Sequence, residues 1–314
     1  MDLGVQIEPQ LGFKFEDVLA IALDAERAGF TRLWVSDHLF LDPNAANTDC
    51  LEAWTLLAAL AVRTERIRIG PMVTSQSYRN PALLAKIAAG VDVMSRGRLE
   101  FGLGAGWKDV EYRAYGYEFP DGPTRVTQMI ETLEICTRMW KDERATYQGK
   151  YYRIADALCS PKPMQNPLPI WIGGSKPRVM RAAARSAHAF NFNLGTSAQT
   201  DTLKAAMREM DEICRAVKRD PSTLLRSSFL MATVGSTAAR SEELLKEFAK
   251  QQKTDPAKIL EQRPGLLRET PERALARLRE YAALGIAHAN IMFQPYGSER
   301  EQIAALAGIT PKLA

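Results

Sequence analysis

Histidine and cysteine are scarce in this chain of 314 residues, which holds three of the first and four of the second. Cys50, Cys136, Cys159 and Cys214 stand far apart and form no Cys-x-x-Cys pair. That spacing argues against a disulfide framework and fits free thiols in a reducing compartment. No second histidine or cysteine pair lies at ligand spacing from His38, His188 or His288, so no metal site is expected. Long apolar runs are also lacking; none approaches the ~18 residues that cross a bilayer. The first residues read as a strand and lack the charged-then-apolar layout of a signal peptide, so a cytoplasmic protein is expected. Charge of one sign is lacking too, with 41 basic against 37 acidic residues, a net charge of +4 and no basic tail. An excess so small and scattered does not point to nucleic acid, although it suits an anionic small molecule. There is no short-period repeat and no low-complexity segment.

What the chain does have is alternation. At 46% hydrophobic residues it can bury the core of one large domain or two modest ones. Leu3–Ile7, Leu33–Val35, Ile67–Thr74 and Leu99–Leu103 read as strands, and so do Ile170–Ile172, Ala189–Leu194, Phe229–Val234 and Ala289–Phe293. Between them run helical patterns over Glu16–Gly29, Glu52–Arg63, Pro81–Met94, Thr124–Trp140, Pro177–Ala187, Gln199–Lys218, Thr270–Leu284 and Glu299–Leu306. Ala145–Tyr152 reads as an extra strand or hairpin edge, and the four prolines of Ser160–Pro169 forbid helix and central strand alike. Glu242–Arg268 is charged and mostly helical. Eight strands, each followed by a helix, imply a parallel sheet and a (β/α)8 TIM barrel, with a doubly wound open sheet as the alternative. One domain over 1–314 is expected, with insertions near 107–168 and 236–269.

In such a barrel chemistry sits at the C-terminal ends of the strands. Four unusual sequences fall there: Ser36-Asp37-His38, Gly70 to Arg79, Gly102 to Trp107, and Gly173-Gly174-Ser175-Lys176. The third belongs to the stretch around which the chain is organised, Leu99 to Gly116, where an apolar run enters three glycines in five residues. Glycine lets a main chain pass close to a flat or bulky ligand; a plain strand-to-helix turn is the other reading. His38 follows a strand, has an acid beside it and can carry a proton near neutral pH; alternatively Asp37-His38 caps its loop. His188 and His288 begin strands, where stability is the expected role. Gly173-Gly174-Ser175 enters a helix whose free N–H groups and dipole attract phosphate, with Lys176 and Arg178 adding charge; a serine-capped turn is the alternative. Met72 and Val73 alone read as core, and Tyr78 and Arg79 fit a site or the surface equally. Trp107, Tyr112, Tyr115 and Tyr117 either line an apolar ligand cleft or pack the insertion.

The segments GVQI, GFTRLWVSDH, TERIRIGPMVTSQSYRNPALLAK, DVMSRGRLEFGLGAGW, PKPMQNPLPIWIGGS and TPERALARLREYAALGI together resemble the luciferase-like superfamily, nearly end to end. GLGAGW followed by EYRAYG is most similar to its branch of oxidoreductases dependent on coenzyme F420, an 8-hydroxy-5-deazaflavin. The resemblance implies that Asp37 hydrogen-bonds the cofactor and His38 serves in proton transfer. It implies a non-prolyl cis peptide between Pro71 and Val73, with Met72, Val73 and Thr74 against the ring from behind. Ala105 and Gly106 would flank the ring, and Gly173, Gly174, Ser175 and Lys176 would hold the phosphate. Trp107 and Tyr112 would face the substrate. The glucose-6-phosphate dehydrogenase branch has a glutamate where this chain has Trp107, so a less polar substrate than a sugar phosphate is implied. A homodimer is a further implication.

The expected function is therefore F420-dependent hydride transfer to or from a small organic substrate, with the proton passing through His38. One alternative is an FMN-dependent monooxygenase that uses reduced flavin and oxygen. A second is a non-catalytic flavin-binding protein.

Overall fold

A computed structural model describes residues 1–192 and 200–313. The first strand, β1 (Asp2–Ile7), leads to helix α1 (Phe15–Arg27), which buries Val18, Leu19, Ile21, Ala22 and Ala25. Gly29, at φ +83°, stops α1, because the turn that lets the Phe30 N–H reach the Ala25 carbonyl at 2.9 Å needs a left-handed residue. After β2 (Arg32–Val35), helix α2 (Ala53–Arg63) is capped by Glu52, whose carboxylate accepts from the N–H groups of Trp54 and Thr55. The third strand is split into β3 (Arg68–Pro71) and β4 (Thr74–Ser75), and between them the Met72–Val73 peptide is cis. Asn80 caps α3 (Pro81–Met94), which opens on proline as expected.

The central stretch becomes β5 (Phe101–Gly104) and a short helix, α4 (Asp109–Ala114). The long helix α5 (Gly122–Lys141) and an antiparallel hairpin of β6 (Ala145–Gln148) and β7 (Arg153–Ala157) fill the first insertion. Glu131 of α5 pins the hairpin turn by accepting from the N–H groups of Lys150, Tyr151 and Tyr152 at 2.8–2.9 Å. Tyr152 then donates to the Gln76 side chain at 3.0 Å, which ties the insertion to the segment after β4.

The remaining elements are β8 (Ile170–Gly174), α6 (Pro177–Ser186), β9 (Ala189–Phe192), α7 (Thr200–Ala216) and β10 (Leu225–Val234). Then come α8 (Ala238–Gln251), α9 (Pro256–Gln262), β11 (Leu267–Glu269), α10 (Pro271–Ala283), β12 (His288–Phe293) and α11 (Glu299–Leu306). Asn193, Leu194 and Gln199, at the edges of two expected elements, lie outside the described residues. The charged second insertion carries a strand that was not expected, β11, parallel to the end of β10.

Two compact units divide the chain: residues 1–7, 16–34 and 174–314 form one, and residues 8–15 and 35–173 the other. In the first unit the strand order is β2-β1-β12-β10-β9, with β11 beside β10. Gly4 of β1 is small because the His288 ring and the Trp34 indole occupy the space a Cβ would need. Trp34 Nε1 donates to His288 Nε2 at 3.0 Å, and the other ring nitrogen pairs with Asp2, so this histidine is buried structure. In the second unit β8, β5 and β4 run parallel in that order, with Ile69 of β3 bridged to Leu99.

Candidate active site

Within the second unit, the segment after β2, the β3–β4 bend and the end of β5 lock onto one another. The Met72 N–H donates to the Val35 carbonyl at 2.8 Å, and Ser75 pairs with Gly104. A Cβ on Gly102 would collide with the Pro71 carbonyl, and one on Gly104 would stand 2.5 Å from Val73 Cγ2. Gly106, at φ +75°, leaves room for the Tyr112 hydroxyl. All three glycines thus admit parts of the protein itself. The cis peptide, which the sequence left open between Pro71 and Val73, is Met72–Val73.

Asp37 sits behind this surface. Its side chain is 1% exposed. Its Oδ2 accepts from the Thr74 hydroxyl (2.6 Å), the Ser75 N–H (3.0 Å) and Arg79 Nη1 (2.7 Å), and its Oδ1 accepts from Arg79 Nη2 at 2.9 Å. This bidentate fork is the strong form of an ion pair. Arg79 also bridges to Glu52, and Trp54 Nε1 donates to the Thr74 hydroxyl at 3.0 Å. Burial works against the Arg79 charge, but Asp37 and Glu52 outweigh it and hold the guanidinium above its ordinary range. The oxygens of Asp37 thus hold the bend that carries Met72, Val73 and Thr74. Thr74 is likewise fully buried, while Met72 and Val73 keep partial exposure.

His38 faces the other way. Its Nδ1 lies 3.0–3.1 Å from both oxygens of Glu111 on α4. Glu111 is completely buried and also accepts from the Leu39 N–H (2.9 Å), the Phe40 N–H (3.3 Å), Lys108 Nζ (3.1 Å) and the Tyr78 hydroxyl (2.8 Å). Burial pushes its carboxyl upward, but the bonds from His38, Tyr78 and Leu39 prevail and hold it at about 2. An ionised carboxylate only accepts, so Nδ1 carries a proton, and Nε2 is the ring nitrogen at which a proton can be gained or lost. The His38 side chain is 17% exposed. The Cys50 thiol donates to the His38 carbonyl at 3.3 Å; burial, helped by the Glu111 charge, pushes that thiol up to about 11, so it stays protonated and unreactive near neutral pH.

The aromatic group divides. Tyr112 is fully buried, its hydroxyl 2.8 Å from Ser75 Oγ and its ring packed on Tyr78 and Phe119. Its hydroxyl supports Gly106 from beneath. Tyr117 also packs inward and donates to the Tyr78 carbonyl at 3.1 Å. Trp107 is 71% exposed and stands edge-on to the His38 ring, centroids 5.6 Å apart. Ala105 and Gly106 are partly exposed beside it.

Gly173 ends the second unit, and Gly174, Ser175 and Lys176 open α6 in the first; Ser175 and Lys176 are exposed and Gly174 has φ +153°. Sequence reasoning assigned no role to Glu111, Glu52 or Lys108, and it left Tyr78 and Arg79 open between site and surface. The one available signal was Glu111, an acid one helical turn after Trp107 and Lys108.

The model of the luciferase-like monooxygenase family matches residues 2–307. The chain is similar to an F420-dependent glucose-6-phosphate dehydrogenase of Microbacterium testaceum, 28% identical, over 95% of this chain and 93% of that one. It is also similar to one of Amycolatopsis mediterranei, 26% identical, over 91% and 90%. Among solved structures it resembles an F420-dependent secondary alcohol dehydrogenase in complex with an F420-acetone adduct (TM-score 0.81, 21% identity, 100% and 99% coverage). A coenzyme F420-dependent tetrahydromethanopterin reductase of Methanopyrus kandleri is alike to the same degree (TM-score 0.81, 18% identity, 100% and 99% coverage). These likenesses assign the (β/α)8 barrel fold.

Proposed function

The chain belongs to the luciferase-like monooxygenase family, and from that premise we propose that it is an oxidoreductase that exchanges a hydride between coenzyme F420 and a small organic substrate. A single domain over 1–314 is part of this reading, supported by the unbroken family match. The observation that carries it is His38, with Nδ1 tied to an ionised, buried Glu111 and Nε2 free for a proton at the strand ends.

The residues present fit a flat ring. Met72 and Val73 offer apolar, partly exposed side chains on a bend that Asp37, Arg79 and Thr74 hold rigid. Ala105 and Gly106 are too small to obstruct a ring. The cofactor phosphate is assigned separately to Gly173, Gly174, Ser175 and Lys176, on the strength of the exposed opening of α6. When bound, the deazaflavin supplies the carbon that gives or accepts hydride. His38 takes the proton from a substrate hydroxyl, or returns it to a carbonyl, at Nε2. Glu111 fixes the tautomer that makes this possible and stabilises the imidazolium that forms. Tyr78 and Lys108 in turn fix Glu111.

The test is His38→Ala, read by fluorescence quenching of F420 and by anaerobic loss of deazaflavin colour with substrate. The expected result is retained cofactor binding with turnover reduced by about 10²–10⁴-fold. Unchanged turnover would remove His38 from the chemistry, and absence of turnover in the wild type itself would favour the non-catalytic reading.

A further inference from the structure

We infer that the substrate is an uncharged molecule with an apolar, ring-bearing body that stacks on Trp107, and that sugar phosphates and other organic anions are poor substrates. The inference rests on the F420 reading above.

Its first support is the lip beside His38. Among the described residues Trp107 is the most exposed large hydrophobic one, and its indole meets the His38 ring at 86°. Next to it Phe40 stacks on Tyr115, ring centroids 6.2 Å apart at 18°, and Tyr115 is itself more than half exposed. Large rings left open beside a basic nitrogen provide a surface for another ring, and such pairs add affinity beyond the area they bury.

Charge is the second support. An organic dianion needs a free cation, and those carried by these segments are already committed. Lys108 Nζ donates to the carbonyls of Phe40 (2.6 Å) and Leu41 (2.7 Å) and to Glu111. Arg79 is held by Asp37 and Glu52. Arg125 donates to the carbonyls of Gly106 and Pro120 and lies over the Phe119 ring, and Arg113 pairs with Asp109. In these ion pairs three carboxylates, Asp37, Glu52 and Glu111, share two cations, Arg79 and Lys108. Recruiting either cation to a phosphate would strand a buried carboxylate. A neutral hydroxyl or carbonyl needs only His38 Nε2 as its partner. In the oxidising direction the hydroxyl proton passes to Nε2 and the carbinol hydrogen leaves as hydride to the oxidised deazaflavin. The two electrons of that C–H bond reduce the cofactor, and the carbon becomes a carbonyl.

The experiment begins with F420 binding to the purified protein by fluorescence quenching. Anaerobic rates of F420 reduction are then compared for 1-phenylethanol, cyclohexanol, glucose and glucose 6-phosphate, with acetophenone and reduced F420 for the reverse direction. The expected result is turnover of the 1-phenylethanol–acetophenone pair with kcat/KM at least about 10²-fold above glucose 6-phosphate. Trp107→Ala should raise KM for the phenyl substrate about tenfold while F420 affinity is retained. Preference for glucose 6-phosphate, no turnover of either neutral ring compound, or a Trp107→Ala enzyme with unchanged KM overturns the inference and leaves the F420 reading standing. Failure to bind F420 overturns the parent reading, and the inference falls with it.

Discussion

Replacing Glu111 by glutamine changes one atom and should be felt in both stability and chemistry. The carboxylate accepts from five donors: His38 Nδ1, the Leu39 and Phe40 N–H groups, Lys108 and Tyr78. Glutamine keeps one acceptor oxygen. If that oxygen stays with Leu39, Phe40 and Lys108, the new NH2 faces Tyr78 and His38. Tyr78 can rotate its hydroxyl to accept, while at His38 the NH2 opposes the Nδ1 proton and the retained oxygen, 3.1 Å away, already takes three donors, so the balance shifts toward the tautomer with the proton on Nε2. The basic edge is then blocked, so turnover should drop at least about 10²-fold while cofactor affinity is retained. The Lys108 charge loses its counter-ion, and charge-assisted bonds worth about 1.5–3 kcal/mol each are lost, with part recovered by the rotated partners. A net loss of about 3 kcal/mol is expected, or roughly 4–5 °C in Tm for a chain of this size.

The sign with pH follows from Glu111 being held at about 2, below the ordinary 4.5. Its stabilisation is present above pH 4.5 and fades as pH falls from there toward 2. Urea midpoints of wild type and Glu111→Gln should therefore be well separated at pH 7 and converge below pH 4.5. Equal midpoints at pH 7, or an undiminished kcat, would refute the role given to Glu111.

Glycine substitutions should change sign with location. Gly102→Ala would drive a Cβ into the Pro71 carbonyl and should lower the urea midpoint sharply. Gly90→Ala, inside α3 with nothing within 4 Å, should stabilise by about 0.5–1 kcal/mol, since alanine limits the unfolded chain without a clash. Glu299, at the start of α11, is pushed up to about 7 by burial, with the Gly297 N–H opposing and Asp17 adding. A folded value above the unfolded 4.5 means stability that is full below pH 4.5 and lost as pH rises through 7. Glu299→Gln should accordingly melt higher than wild type at pH 8 and equally at pH 4.5.

Much of the architecture was legible because it rests on local rules. Pro81–Met94 and Glu299–Leu306 have the expected bounds, since proline after an asparagine cap starts one and the apolar spacing frames both. Strand β11 was not legible: three residues inside a charged run show no alternation, and β10 alone makes them a strand. At the site, His38 could be found because a histidine after a strand is a local pattern. Its partner Glu111 is 73 residues away and belongs to a helix whose first turn also holds Asp109, so spacing alone did not single it out. The glycines at 102, 104 and 106 announced a close approach but could not say to what, because the occupant is supplied by Pro71, Val73 and Tyr112 from other segments. For Asp37 and Tyr112, likewise, the sequence marked the residues but not their partners Thr74, Arg79 and Ser75, which come from another segment. Composition does not report which side of a bend a side chain takes.

The most direct measurement is the affinity of the purified protein for F420 against FMN, obtained by anaerobic titration under identical conditions. Tighter binding of F420, with no oxygen consumption when reduced FMN is supplied, is the predicted result. Tighter binding of FMN, accompanied by oxygen consumption on addition of the reduced flavin, would contradict the account and make the protein a flavin monooxygenase.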